Sequence, residues 1–104
     1  MRQAIFTFAI IPERASNREI RKVQGKIDLQ DLVTAVAGAS DADKSAVEFF
    51  LENISKRLAE NIKEEAKEIG SVKQADAEMA MMRIVNVIPE LEAEGEIFLV
   101  VKDD

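Results

Sequence analysis

The sequence predicts an all-α fold, a compact six-helix domain with a central apolar C-terminal helix and a short extended tail. Three observations carry this. Aromatic residues are few, five Phe with no Tyr and no Trp, so the 47% hydrophobic content is mostly Ala, Ile, Leu, Val and Met. A core of that kind suits helix on helix better than sheet on sheet. Apolar residues recur at helical spacing, and Ser, Asp, Gly and Pro punctuate the chain into six pieces. A length of 104 residues suits one domain with one core, residues 1–104.

The elements follow in order. The first helix is expected around Ala4 to Ile11, ending at Pro12, which lacks the N–H a continuing helix needs. The second opens at SNRE, where Ser16 can cap and Glu19 holds the reciprocal position of a capping box. Ile20 and Val23 face inward, and Gly25 ends it. The third starts at the N-cap candidate Asp28, carries the stripe Leu29, Leu32, Val33 and Val36, and stops at Gly38. The fourth begins near Ser40 or Asp41, with Val47, Phe50, Leu51 and Ile54 on one side. Ser55 caps the fifth, which runs to Gly70. The sixth starts near Gln74 after a short break. Its AMAMMRIVNVI stretch is apolar over most of its circumference and reads as the helix on which the others pack. Pro89 interrupts it, Gly95 ends it, and EIFLVV follows as an extended tail. The Met cluster is core filler in the simplest reading. If part of this helix stays exposed, Met79 and Met82 form a docking patch for a neighbouring subunit.

Composition excludes most chemistry. Lys plus Arg number 14 against 20 Asp plus Glu, a formal charge of −6, so no excess of cations is present to release counterions from nucleic acid. No run approaches the roughly 20 apolar residues of a membrane span, and the opening MRQAIFTFAII lacks a signal-peptide cleavage site. An intracellular location is expected. With neither Cys nor His, thiolate nucleophiles, Ser-His triads and the usual zinc sites are absent. The scattered Gly form no phosphate loop. Asp41 and Asp43 lack the Gly and Glu of a calcium loop, so they read as a capped helix start. No catalytic residue, metal or cofactor is expected, and the chain reads as a non-enzyme.

The fifth helix, NISKRLAENIKEEAKEIG, is the remaining feature. At 100° per residue, Leu58, Ala59, Ile62, Ala66 and Ile69 share one sector. Arg57, Glu60, Glu64, Lys67 and Glu68 lie opposite, with Glu65 at the margin. A solvated outer face accounts for that pattern by itself. Glu64 and Glu65 point about 100° apart, so they do not converge on one proton as a catalytic pair would.

Nearly the whole chain resembles the C-terminal domain family of the bacterial flagellar motor switch protein FliG. The segment ISKRLAENIKEEAKEIGSVK and the later LEAEGEIFLV carry the likeness most specifically. DLVTAVAGAS, NREIRKV and the hinge-like IFTF, with Ile5, Phe6 and Phe8, extend it. The resemblance implies a rotor component that acts on the cytoplasmic loop of the stator protein MotA through a charged ridge. By position that ridge is Arg57, Glu64, Glu65 and Lys73. It also implies FliM-like switch proteins and neighbouring FliG subunits as partners, and a place at the cytoplasmic face of the inner membrane, at the flagellar basal body. The family's N-terminal and middle domains have no counterpart in these residues. Ala37 stands where the family has Lys, about three extra residues fall within 41–47, and Pro89 replaces a basic residue. These departures motivate an alternative, a stand-alone FliG-like adaptor or regulatory module without a motor role.

Overall fold

Short polar side chains mark where the second, third and fifth helices begin. The Asp28 carboxylate accepts a hydrogen bond from the Gln30 N–H at 2.9 Å, and the Ser55 hydroxyl accepts one from the Leu58 N–H at 3.1 Å. Each takes over a backbone donor that lacks a helical partner, a cap that contributes about 0.5–2 kcal/mol. At the second helix the Glu19 carboxylate reaches back to the Ser16 N–H at 2.8 Å and accepts from the Ser16 hydroxyl. The computed structural model describes Phe8 and residues 11–97, apart from the side chains of Glu13 and Arg14.

The described elements are α1 (Ile11–Arg14), α2 (Asn17–Gln24), α3 (Leu29–Ala37), α4 (Asp41–Glu52), α5 (Lys56–Ile69) and α6 (Gln74–Ala93). The all-α expectation holds, with five helices of eight or more residues and α1 a single turn. Pro12 corrects the expected first boundary. It lies inside α1 rather than ending a helix. In a first turn the missing N–H has no partner to lose, so Pro opens a helix as readily as it stops one. Ile5, Phe6, the stretch from Ala4 to Ile10 other than Phe8, and the tail from residue 98 onward lie outside the described residues. Phe8 itself is buried in the core.

The core gathers Ile11, Ile20, Leu32, Phe50, Ile62 and Ile84, all essentially without solvent contact. No polar or charged side chain is buried among the described residues. Helix α3 makes the most extensive packing of the described helices, chiefly against α6 and α5 and more lightly against α4. Helix α6 lies against α3 and α2 rather than being enclosed by the others. Its buried stripe is Ala77, Ala80, Met81, Ile84, Ile88 and Leu91, which leaves its other apolar residues toward the surface.

The end of α3 rests directly on the start of α6. A Cβ placed on Gly38 would come within 2.5 Å of the Ala77 Cβ, so the absence of a side chain there sets how closely the two helices approach. The Arg83 guanidinium adds an exposed ion pair to Asp31 at 3.1 Å between the same helices. Pro89 does not stop α6, which continues to Ala93. The ring is exposed while Ile88 and Leu91 on either side are buried. Packing of those two residues holds the turn whose hydrogen bond to Val85 the proline removes. Beyond α6, Glu96 returns to α2 through Lys22 at 2.9 Å.

Two tests follow from this packing. Gly38→Ala forces α3 from α6 and is expected to destabilise the fold by about 1–3 kcal/mol, read as a lower urea midpoint, with Gly25→Ala, whose Cβ would meet nothing closer than 3.6 Å, as the milder comparison. The second concerns acid. Hydrogen bonding and charge from Lys22, with a smaller effect of Lys26, hold the Glu96 carboxyl below its ordinary value. A group whose folded pKa is lowered stabilises the fold above its unfolded pKa and loses that effect as pH falls through the folded value. Any advantage of wild type over Glu96→Gln is therefore present at neutral pH and disappears on the acid side of the carboxylate range, in urea midpoints measured against pH.

Candidate functional site

Helix α5 has a packed face and a charged face. Ala59, Ile62 and Ala66 are buried against the core, where α5 meets α3 and α4. At 100° per residue these three centre one face, and Arg57, Glu64 and Glu68 point directly away from it. All three are exposed. Arg57 and Glu64 are separated by two turns and so project from the same line along the helix. Glu65 leans toward α3, Lys56 and Lys63 toward α4.

Burial below the ridge differs from the sequence expectation at two positions. Ile69, predicted to lie in the dry stripe, is 42% exposed, and Leu58 is only half-buried. Leu29, predicted to face inward from α3, is 38% exposed. The cause is common to Leu29 and Ile69. Each is a terminal residue of its helix, where the angular position is right but the neighbouring helix no longer covers it. Met79 and Met82, which sequence reading left as either core filler or surface patch, are 53% and 62% exposed. The spacing could have shown this: buried Ala77, Ala80, Met81 and Ile84 take the inner face, and residues 79 and 82 fall outside it.

Lys73 reaches the same region by a different route. Gly70 ends α5 with φ +74° and ψ −113°, a conformation that other residues adopt only with strain. Open space surrounds it, so the requirement is torsional rather than steric. Ser71 and Val72 follow, and exposed Lys73 is the residue from which α6 starts. The charge order is thus Arg57, then Glu64 and Glu65 along one rod, then Lys73 beyond a bend.

None of these four side chains forms an ion pair or side-chain hydrogen bond among the described residues. The three ion pairs there are Lys22–Glu96, Lys44–Asp41 and Arg83–Asp31. The four charges are therefore open to an outside partner. Beside them, Leu29 and Leu58 floor a shallow depression edged by Asn61, Glu64 and Glu65. The described residues contain no cluster of three or more acidic residues, His or Cys arranged to hold a metal ion. No described helix is long and apolar enough to cross a membrane. The surface offers ordered charge over a rigid base, which can align a polypeptide and does not assemble a reacting group.

Comparison with known proteins gives the arrangement a context. Residues 1–99 match the family model of the FliG C-terminal domain. The chain is 36% identical over 99 residues to the flagellar motor switch protein FliG of Thermotoga maritima, a match covering 95% of this chain and 28% of that protein. The flagellar motor switch protein FliG of Aquifex aeolicus is 34% identical over 97 residues, covering 93% and 28%. The chain thus spans less than a third of the length of these curated relatives. The fold is similar to a crystal structure of FliG from H. pylori, with a TM-score of 0.77 and 31% identity over 89% of this chain and 42% of that one. It is also similar to full-length FliG from Aquifex aeolicus, with a TM-score of 0.75 and 33% identity over 86% and 27%.

The division between ridge and base predicts a contrast in stability. Arg57→Glu or Glu64→Lys is expected to move the unfolding free energy by no more than about 0.5 kcal/mol. Ile62→Ala, which removes a fully buried side chain from the same helix, is expected to cost about 2–5 kcal/mol. Urea denaturation of the three variants measures both; a ridge variant as destabilised as Ile62→Ala would show that its charge belongs to the fold.

Proposed function

The chain belongs to the family of FliG C-terminal domains, and on that premise we propose that it is a non-enzymatic rotor and switch unit of a flagellar motor. The single observation that supports this most is the set of four exposed charges at Arg57, Glu64, Glu65 and Lys73, unpaired among the described residues and carried on and just beyond a helix whose other face is packed. In this reading the ridge engages complementary charges on the cytoplasmic loop of a MotA stator protein. FliM-like switch proteins and neighbouring subunits of the same kind hold the unit in its ring. The location that goes with this role is the cytoplasmic face of the inner membrane at the flagellar basal body.

Weak forces suit the task. An exposed ion pair contributes about 0–1 kcal/mol in water, and charges across an interface guide orientation and encounter more than they prolong residence. A contact that must form and release as a rotor turns needs alignment without a long hold. The base supplies the other requirement, because Ala59, Ile62 and Ala66 hold α5 against the core while force acts on its outer face.

A second reading keeps the scaffold and loses the motor: an adaptor or regulatory interaction module. Ala37 favours it, since a charge common in the resembling family is missing at the end of α3, and Pro89 favours it by placing a proline within α6. The two readings differ in partner. A rotor unit binds the stator loop, whereas an adaptor binds other proteins and leaves that loop alone.

Introducing Arg57→Glu together with Glu64→Lys and Glu65→Lys into the native gene is expected to abolish most expansion of swimming rings in soft agar while protein level and fold are unchanged. Compensating charge changes in the stator loop should restore part of it. Full motility of the triple variant in every stator background would remove the ridge from the torque pathway.

A further inference from the structure

We infer that the strip of surface from Leu29 and Glu65 to Ile69 and Met79 seats a basic amphipathic helical segment of the partner, so that recognition has an apolar part beside the charged one. This rests on the reading of α5 as the partner-facing helix, and adds what that partner presents. Among the described residues the exposed large hydrophobics are Leu29, Ile69, Met79 and Met82. Exposed apolar residues scattered singly are ordinary, but their gathering on one side marks an interaction surface.

Here they gather. Leu29 lines the depression that holds Glu64 and Glu65. Ile69, Val72 and Met79 line a second depression of about 660 Å³ between α3 and the start of α6. No described residue lines both, but Leu29 borders one and its chain neighbour Gln30 borders the other. On α5, Glu65 borders one and Ile69, one turn further along, borders the other. Met82 extends the apolar side by one turn of α6 beyond Met79. Exposed apolar residues in shallow depressions beside one another can receive the apolar stripe of a helix, read through anchors three and four residues apart.

Charge selects the occupant. The depression floored by Leu29 and Leu58 carries Glu64 and Glu65, and no cation among the described residues lines it. In the second depression Asp31 is already paired with Arg83, and Lys73 and Asp76 oppose each other in sign along its edge. The net demand is for positive charge at the α5 end. A helix with Leu-like residues along one stripe and Lys or Arg at one end meets both conditions. The aliphatic stems of those cations would lie over Leu29 and Leu58 while their heads reach the carboxylates.

The test titrates the isotope-labelled 104-residue chain with two probes, followed by amide shifts. One probe is a fragment of the cytoplasmic loop of a MotA-type stator protein. The other is a synthetic helical peptide of about 18 residues with Leu along one face and Lys at one end. Ile69→Ser combined with Met79→Ser removes the apolar anchors from exposed positions, and an unchanged amide spectrum elsewhere checks the fold. The expected result is shifts at Leu29, Glu65, Ile69 and Met79 with both probes, and an affinity lowered about tenfold by the double variant. Binding of the peptide alone, weakened by the double variant, would uphold the strip and remove the stator as its partner. Binding of the loop with unaltered affinity in the double variant would overturn the strip and leave the charged ridge standing. Binding by neither probe would overturn both.

Discussion

The structure depends on the packing of α3 between α5 and α6. Nine residues make a helix too short to persist alone in water, so α3 is helical because its neighbours bury Leu32, Val33 and Ala35. The neighbours depend on it in turn. Helix α5 has α3 and α4 beneath its buried face, and α6 meets α3 where Gly38 lets Ala77 approach closely. Remove the fit at any of these surfaces and α5 loses the base that keeps its outer residues in a line. Order in the charged ridge is thus a property of the core, set by small residues at close contacts.

Two kinds of charge can be told apart on this surface. Lys22 with Glu96, and Arg83 with Asp31, join elements that are far apart in sequence. They contribute to alignment within the molecule, each weakly because each is exposed to water. Arg57, Glu64, Glu65 and Lys73 have no such partner among the described residues, and the fold has no use for them that their neighbours reveal. A soluble surface explains the presence of charge on α5. The arrangement also holds opposite signs two turns apart, in line, over a packed stripe. The function proposed for this member of the FliG C-terminal family is what would give that arrangement a task.

Much of this was legible before the structure because the signals are local. Asp28 and Ser55 start helices through a bond to a backbone N–H two or three residues ahead, and that bond needs nothing from the rest of the chain. Gly70 is legible for the same reason. The outer face of α5 follows from a 100° rotation per residue, which is also local. What sequence missed is where each covering neighbour stops. Leu29 and Ile69 sit at correct angles for burial and are uncovered because they lie at helix ends. Pro12 was misassigned because its missing N–H is compatible with the beginning of a helix as well as with its end. Pro89 interrupts α6 without ending it, as the sequence pattern implies, and the burial of Ile88 and Leu91 shows what carries the helix past it. The misses at Leu29 and Ile69 concern tertiary extent, which periodicity does not encode.

The left-handed bend at Gly70 has a consequence for how the surface is measured by anything that touches it. Along α5 the interval between like positions is set by helical rise, a ruler that barely stretches. Between Glu65 and Lys73 the interval crosses a joint with one glycine torsion and two loop residues. The negative and positive ends of the surface therefore belong to two separate levers, α5 and α6, each clamped by α3. Whatever grips both ends at once reads the angle between those levers, and a small tilt of one against the other changes the separation it meets.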